Sequence, residues 1–96
     1  MVEFSMTKFD GLFEAVLKLQ SVEECRRFFE DVCTIKELQA IAQRLDVAVM
    51  LSEGKNYQEI SKQTGASTAT ISRVAKCLNY GAGGYDLVLD KERENG

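Results

Sequence analysis

With 96 residues, 45% of them hydrophobic and 28% charged, and a formal net charge of −3, the chain has the composition of one small folded domain. No apolar run approaches the roughly 20 residues that a membrane span requires. The chain has no histidine, which removes the commonest general base and every Ser-His or Cys-His nucleophile pair, and its three cysteines stand at no metal-ligand spacing.

Nothing here nominates an enzyme, a cofactor or a metal site, and the odd cysteine count fits reduced thiols in a cytoplasm. Residues 1–6 read as frayed, and Met-Val-Glu-Phe-Ser-Met lacks the basic region and apolar core of a secretion signal. From Thr7 to Gln20 the apolar positions Phe9, Leu12, Phe13, Val16 and Leu17 fall at spacings of three and four, which predicts an amphipathic helix. Ser21-Val-Glu-Glu24 is a capping box, in which Ser21 bonds forward and Glu24 reaches back. The helix it opens is expected to bury Cys25, Phe28, Phe29, Val32 and Cys33, making both cysteines core packers rather than reactive thiols.

Thr34-Ile-Lys-Glu37 is a second capping box and opens the longest helix, to about Glu53. Its expected buried stripe is Leu38, Ile41, Ala42, Leu45, Ala48, Val49 and Ser52. Gly54 ends it, and Asn56-Tyr-Gln-Glu59 is a third box. No stretch reads as a strand of comparable quality, so the fold class is all-α.

The segment from Asn56 to Leu78 reads as a helix-turn-helix. Ile60 supplies the apolar residue inside its first helix, and Ser61 is small where the two helices approach. Gly65 stands where that helix must stop at positive φ, a conformation glycine adopts without strain. Ser67 caps the second helix, whose inward stripe is Ile71, Val74 and Leu78. Its outer first turn, Ser67, Thr68, Ala69 and Thr70, offers hydroxyls and small methyls of the kind that meet base edges in a major groove. Lys55, Lys62, Arg73 and Lys76 are the candidate phosphate contacts. From Lys55 to Tyr80 there are four basic residues and one acid, against eight and fourteen elsewhere. The charge is therefore segregated, with the basic part on the motif.

After Leu78 the periodicity fails, and residues 81–96 read as a glycine loop and tail, with Tyr85 to Leu89 helical or extended. The glycines lack the Lys-Ser/Thr of a phosphate loop and follow a helix, so a stop-and-reverse is the better reading. The apolar residues of the first two helices exceed what one small motif can cover, and each large side chain left exposed forgoes about 1.5–3 kcal/mol. A homodimer answers this. It also sets two motifs about 34 Å apart, the spacing of half-sites one helical turn apart.

Over Thr34 to Leu78 the chain resembles the Trp repressor family, and within it the short members of YerC/YecD type. The likeness rests on Thr34 and Glu37, Ala40 and Arg44, Gly54, Gly65-Ala66, and Ala69-Thr-Ile-Ser-Arg73. The resemblance implies an intertwined, all-helical homodimer that represses transcription, with a small corepressor wedged beside the recognition helix. Thr34, Arg44 and Arg73 stand where the family's pocket has its threonine and two arginines. Val74 stands where the family has a glycine that makes room for the ligand, and Cys77 where it has a serine. A valine side chain in that place argues against tryptophan. It leaves either DNA binding without a corepressor or an unidentified effector that fits beside a valine. Arg73 then has a second reading as a phosphate contact, and Arg44 as the partner of an acid such as Glu37 or of the second copy.

The expectation is a cytoplasmic, homodimeric, sequence-specific DNA-binding transcriptional regulator, a repressor if it follows the family. Its partners would be double-stranded operator DNA, a second copy of itself and a small-molecule effector, with no membrane. The alternative is a helical protein-interaction module, which would show no DNA affinity at moderate salt.

Overall fold

The computed structural model describes the backbone of residues 4–95 and the side chains of residues 4–89. It is all-helical, with no strand among the described residues. A 3₁₀ turn at Met6–Phe9 precedes α1 (Asp10–Val16), α2 (Val22–Val32), α3 (Ile35–Ser52), α4 (Tyr57–Thr64), α5 (Thr68–Tyr80) and α6 (Gly84–Asn95). The chain divides into two compact units, Met1–Ile35 and Lys36–Gly96.

In the first unit, the helix expected from Thr7 to Gln20 is shorter and split. It begins as the 3₁₀ turn, where Ser5 Oγ accepts from the Thr7 N–H at 3.3 Å, and α1 ends at Val16. Lys18 and Leu19 then bond to the carbonyls of Ala15 and Val16, a tightening last turn. The next helix's cap accounts for the stop. Glu24 reaches back past Ser21 to the Gln20 N–H at 2.9 Å, which removes that group from any continuing helix. Ser21 Oγ accepts from the Glu24 N–H at 3.1 Å, so the forward half of the box forms as expected. Residues 1–3 of the expected frayed segment lie outside the described residues.

On α2, Cys25, Phe28 and Phe29 are half-buried, and the two rings meet edge to face at 5.2 Å. Val32 is not buried as expected. It is the helix's last residue and is 54% exposed, while Cys33 is the half-buried C-cap. Phe9, Leu12, Phe13 and Leu17 are also exposed.

The core lies in the second unit. It comprises Val47, Ala48 and Met50 of α3, Ile60 of α4, Ala66 of the turn, Ile71 and Val74 of α5, and Leu89 of α6. The stripe expected on α3 is largely wrong. Ile41, Ala42, Leu45 and Ser52 are exposed, and Leu38 and Val49 are half-buried; only Ala48 is fully buried. The reason is visible in the run Val47-Ala-Val-Met-Leu51, which is apolar on every side of the helix. At 100° per residue, Val47 lies opposite Leu38. The α4–α5 unit packs on the Val47 side, and the face the periodicity points to stays largely exposed.

The loop and tail expected for residues 81–96 give way to a helix that reaches residue 95, and residue 96 lies outside the described residues. The glycine connection is only Gly81-Ala82-Gly83, and α6 runs from Gly84 to Asn95. Gly81 is the C-cap of α5, with its N–H on the Cys77 carbonyl, and its backbone leaves no room there for a Cβ. The short apolar stretch after it turns Leu89 into the core, with Tyr85 packed alongside. No helix among the described residues is long and apolar enough to cross a membrane.

Candidate nucleic-acid interface

The α4–α5 pair is built from its caps. Asn56 Oδ1 accepts from the Glu59 N–H at 2.9 Å, and its amide donates to Glu59 Oε1 at 3.3 Å, which opens α4. Gly65 stops it at φ +75°, with its N–H on the Ser61 carbonyl. Ser67 then opens α5 by accepting from the Thr70 N–H at 3.1 Å. Ile60 and Ile71 are 0% exposed and Val74 is 1% exposed, so the apolar sides of both helices are closed against α3's core residues.

That packing leaves the other side of α5 outward. Thr68, Ala69, Arg73 and Lys76 are exposed, as is Lys62 on α4, while Lys55 is half-buried before α4 begins. Ser67 is exposed, but its oxygen serves the cap and lies 3.1 Å from the hydroxyl of half-buried Thr70. Thr68 and Ala69 are therefore the most accessible of the four first-turn candidates. Between the helices, Tyr57, Gln58, Ser61, Lys62 and Thr68 line a crevice of about 350 Å³. Tyr57 and Gln58 were not singled out from sequence. The signal for them was the same Asn56 cap, which places both on the first turn of α4.

Within the second unit, two of the corepressor candidates share a groove. Arg44 of α3 and Cys77 of α5 line a groove of about 460 Å³, with Ile41, Leu45, Tyr85 and Val88 as apolar walls. Val74 is turned into the core with Ile71 and is not part of that lining. Its spacing of three from Ile71 makes it a stripe residue first, whatever stands there in relatives. Arg73 is exposed outside the groove, and Thr34 is exposed in the first unit. Among the described residues no group of three Cys, Asp or Glu could hold a metal ion.

The model of the Trp repressor protein family matches residues 7–93. The chain belongs to the Trp repressor family. It is 58% identical over 85 residues to the uncharacterized protein YerC of Bacillus subtilis (strain 168), covering 88% of this chain and 82% of that one. Among solved structures, a proposed Trp repressor from Staphylococcus aureus superposes with a TM-score of 0.86 at 45% identity, covering 93% of this chain and 89% of that one. A TrpR-like protein from Eubacterium eligens ATCC 27750 gives 0.85 at 49% identity, covering 91% and 90%. The match to residue 93 takes in most of α6, the element that the glycines obscure in the sequence.

Proposed function

We propose that this member of the Trp repressor family is a cytoplasmic, homodimeric, sequence-specific DNA-binding transcriptional repressor that works through α4 and α5 without tryptophan. The observation that carries the reading is the α5 surface. A capped helix with a closed apolar side presents Thr68, Ala69, Arg73 and Lys76 outward, in the one stretch of an acidic chain, Lys55 to Tyr80, where basic residues outnumber acids four to one. Lys55, Lys62, Arg73 and Lys76 contact phosphates and supply salt-dependent affinity. The first turn, Ser67 to Thr70, reads base edges, Thr68 and Ala69 most directly.

The exposed Ile41, Leu45 and Val88 support the homodimer, because a second copy gives that apolar face a cover. Val74 in the core supports a family member that does not take tryptophan: the side chain fills space rather than leaving it. An effector of this regulator would meet Arg44 and Cys77, the polar groups of the groove.

The test is selection from a random duplex pool at about 100 mM salt, with and without amino acids. An enriched palindrome with half-sites one helical turn apart is expected, and tryptophan should leave it unchanged. Arg73→Ala should then weaken binding to all duplexes alike and lower the salt slope by about one. No enrichment at that salt or lower would overturn the reading in favour of a protein-interaction module.

A further inference from the structure

The turn between α4 and α5 is closed almost entirely by its own residues. The Ala66 N–H donates to Thr64 Oγ1 at 3.1 Å, and Thr64 Oγ1 donates to the Ile60 carbonyl at 2.7 Å. Ser61 Oγ donates to the Ala66 carbonyl at 2.8 Å, and the Gly65 N–H to the Ser61 carbonyl at 2.9 Å. The Thr64 carbonyl is different. As the last acceptor of α4 it has no donor within the helix. Among the described residues its donor comes from 21 positions away, Gln43 Nε2 at 3.1 Å. A carbonyl only accepts, so the nitrogen end of the Gln43 amide must be the end that faces it.

Gln43 stands on α3 at spacings of four and seven from Val47 and Met50, and so shares their face. Those two belong to the core that holds α4 and α5. Apolar packing of this kind sets how close two elements come, but it has no preferred direction. A hydrogen bond does. The bond is half-buried and reaches the turn that sets the angle between the two helices, four residues before Thr68.

We propose that Gln43 is a positioning residue for DNA recognition. It pins the α4–α5 turn to α3 and so sets the angle at which Thr68 and Ala69 meet the base edges. The proposal rests on the DNA-binding reading above and deepens it. Base contacts tolerate misplacement of only about 0.5 Å, whereas phosphate contacts through long flexible side chains accommodate more. Losing the pin therefore costs discrimination between operator and unrelated duplex, rather than affinity for DNA in general.

The experiment compares the full chain with Gln43→Met, which is neutral and of similar length but has no donor, and with Gln43→Lys, which restores one. Each is titrated with the selected duplex and with an unrelated duplex of equal length at one salt concentration. The ratio of the two affinities is read, so the charge that lysine adds cancels. Gln43→Met is expected to lower the ratio about three- to tenfold, the effect of one hydrogen bond, and to leave unrelated binding unchanged. Gln43→Lys is expected to recover most of the ratio. Thermal unfolding of each variant places the assay well below its transition.

A Gln43→Met protein that melts earlier but keeps the parent's ratio would overturn the proposal, because the bond would then serve only stability. A lysine variant no better than methionine would overturn it too. A parent that discriminates no duplex overturns the DNA reading itself and this proposal with it. A discriminating parent with an unchanged Gln43→Met ratio overturns this proposal alone.

Discussion

The α4–α5 pair and the helices before Thr34 carry the same local signals, yet they end in opposite states. Both have a serine cap that accepts from the N–H three residues on, at Ser67 and at Ser21. Both have apolar residues at helical spacing. In the pair, that stripe is closed: Ile60, Ile71 and Val74 lie in one core with Val47. In the first unit no described residue is fully buried, and Leu17 is 83% exposed. Local sequence therefore specifies a helix and its sticky side, while what covers that side is a separate matter.

Charging an exposed apolar face should have the largest effect. Leu45→Glu puts a carboxylate on the α3 surface that a second copy is proposed to cover. Sedimentation velocity is expected to show monomer where the parent runs as a dimer, while the helical circular dichroism of α4 and α5 persists. An unchanged dimer mass would remove this face from the interface.

Next comes the closed side. Ile71→Ala leaves a cavity among residues that are themselves fully buried, and should cost about 2–5 kcal/mol in denaturant unfolding. Gly65→Ala imposes a Cβ at φ +75°, where there is room but the backbone is strained, and should cost about 1–2 kcal/mol. The smallest and most direct comparison pairs Ser67→Ala with Ser21→Ala. The two bonds are each 3.1 Å, and each loss should be about 1 kcal/mol by denaturant titration. A near-zero loss at Ser21 alone would show that the first unit unfolds before the transition being measured.

Starts of helices were the most legible part of the fold. The caps at Ser21, Asn56 and Ser67 form as the sequence indicates, because a cap needs only residues three positions apart. Ends and faces were harder. Apolar spacing runs on through Leu17 and so overextends the first helix, while Glu24 takes the Gln20 N–H from further along the chain. On α3 the periodicity picked the uncovered face, since Val47 to Leu51 is apolar in every direction. α6 was obscured because three of the four residues before Tyr85 are glycines, and its single fully buried anchor among the described side chains is Leu89.

The candidate site divides in the same way. The order of Thr68, Arg73 and Lys76 on one outward side followed from helix spacing. Gln43 could not be seen, because its bond spans 21 residues and nothing in its neighbours marks it. Val74 was readable both as core and as pocket, and only the packing of Ile71 and Val47 beside it separates the two.

Leu89 joins Val47, Ile60, Ile71 and Val74 in a single enclosed space, so the last helix is part of the same packing problem as the two helices that face outward. In evolutionary terms these positions can drift only as a set. A relative that carries a smaller side chain at one of them is expected to carry a larger one at another, and exchanging α6 between relatives without its matching partners should leave either a hole or a clash.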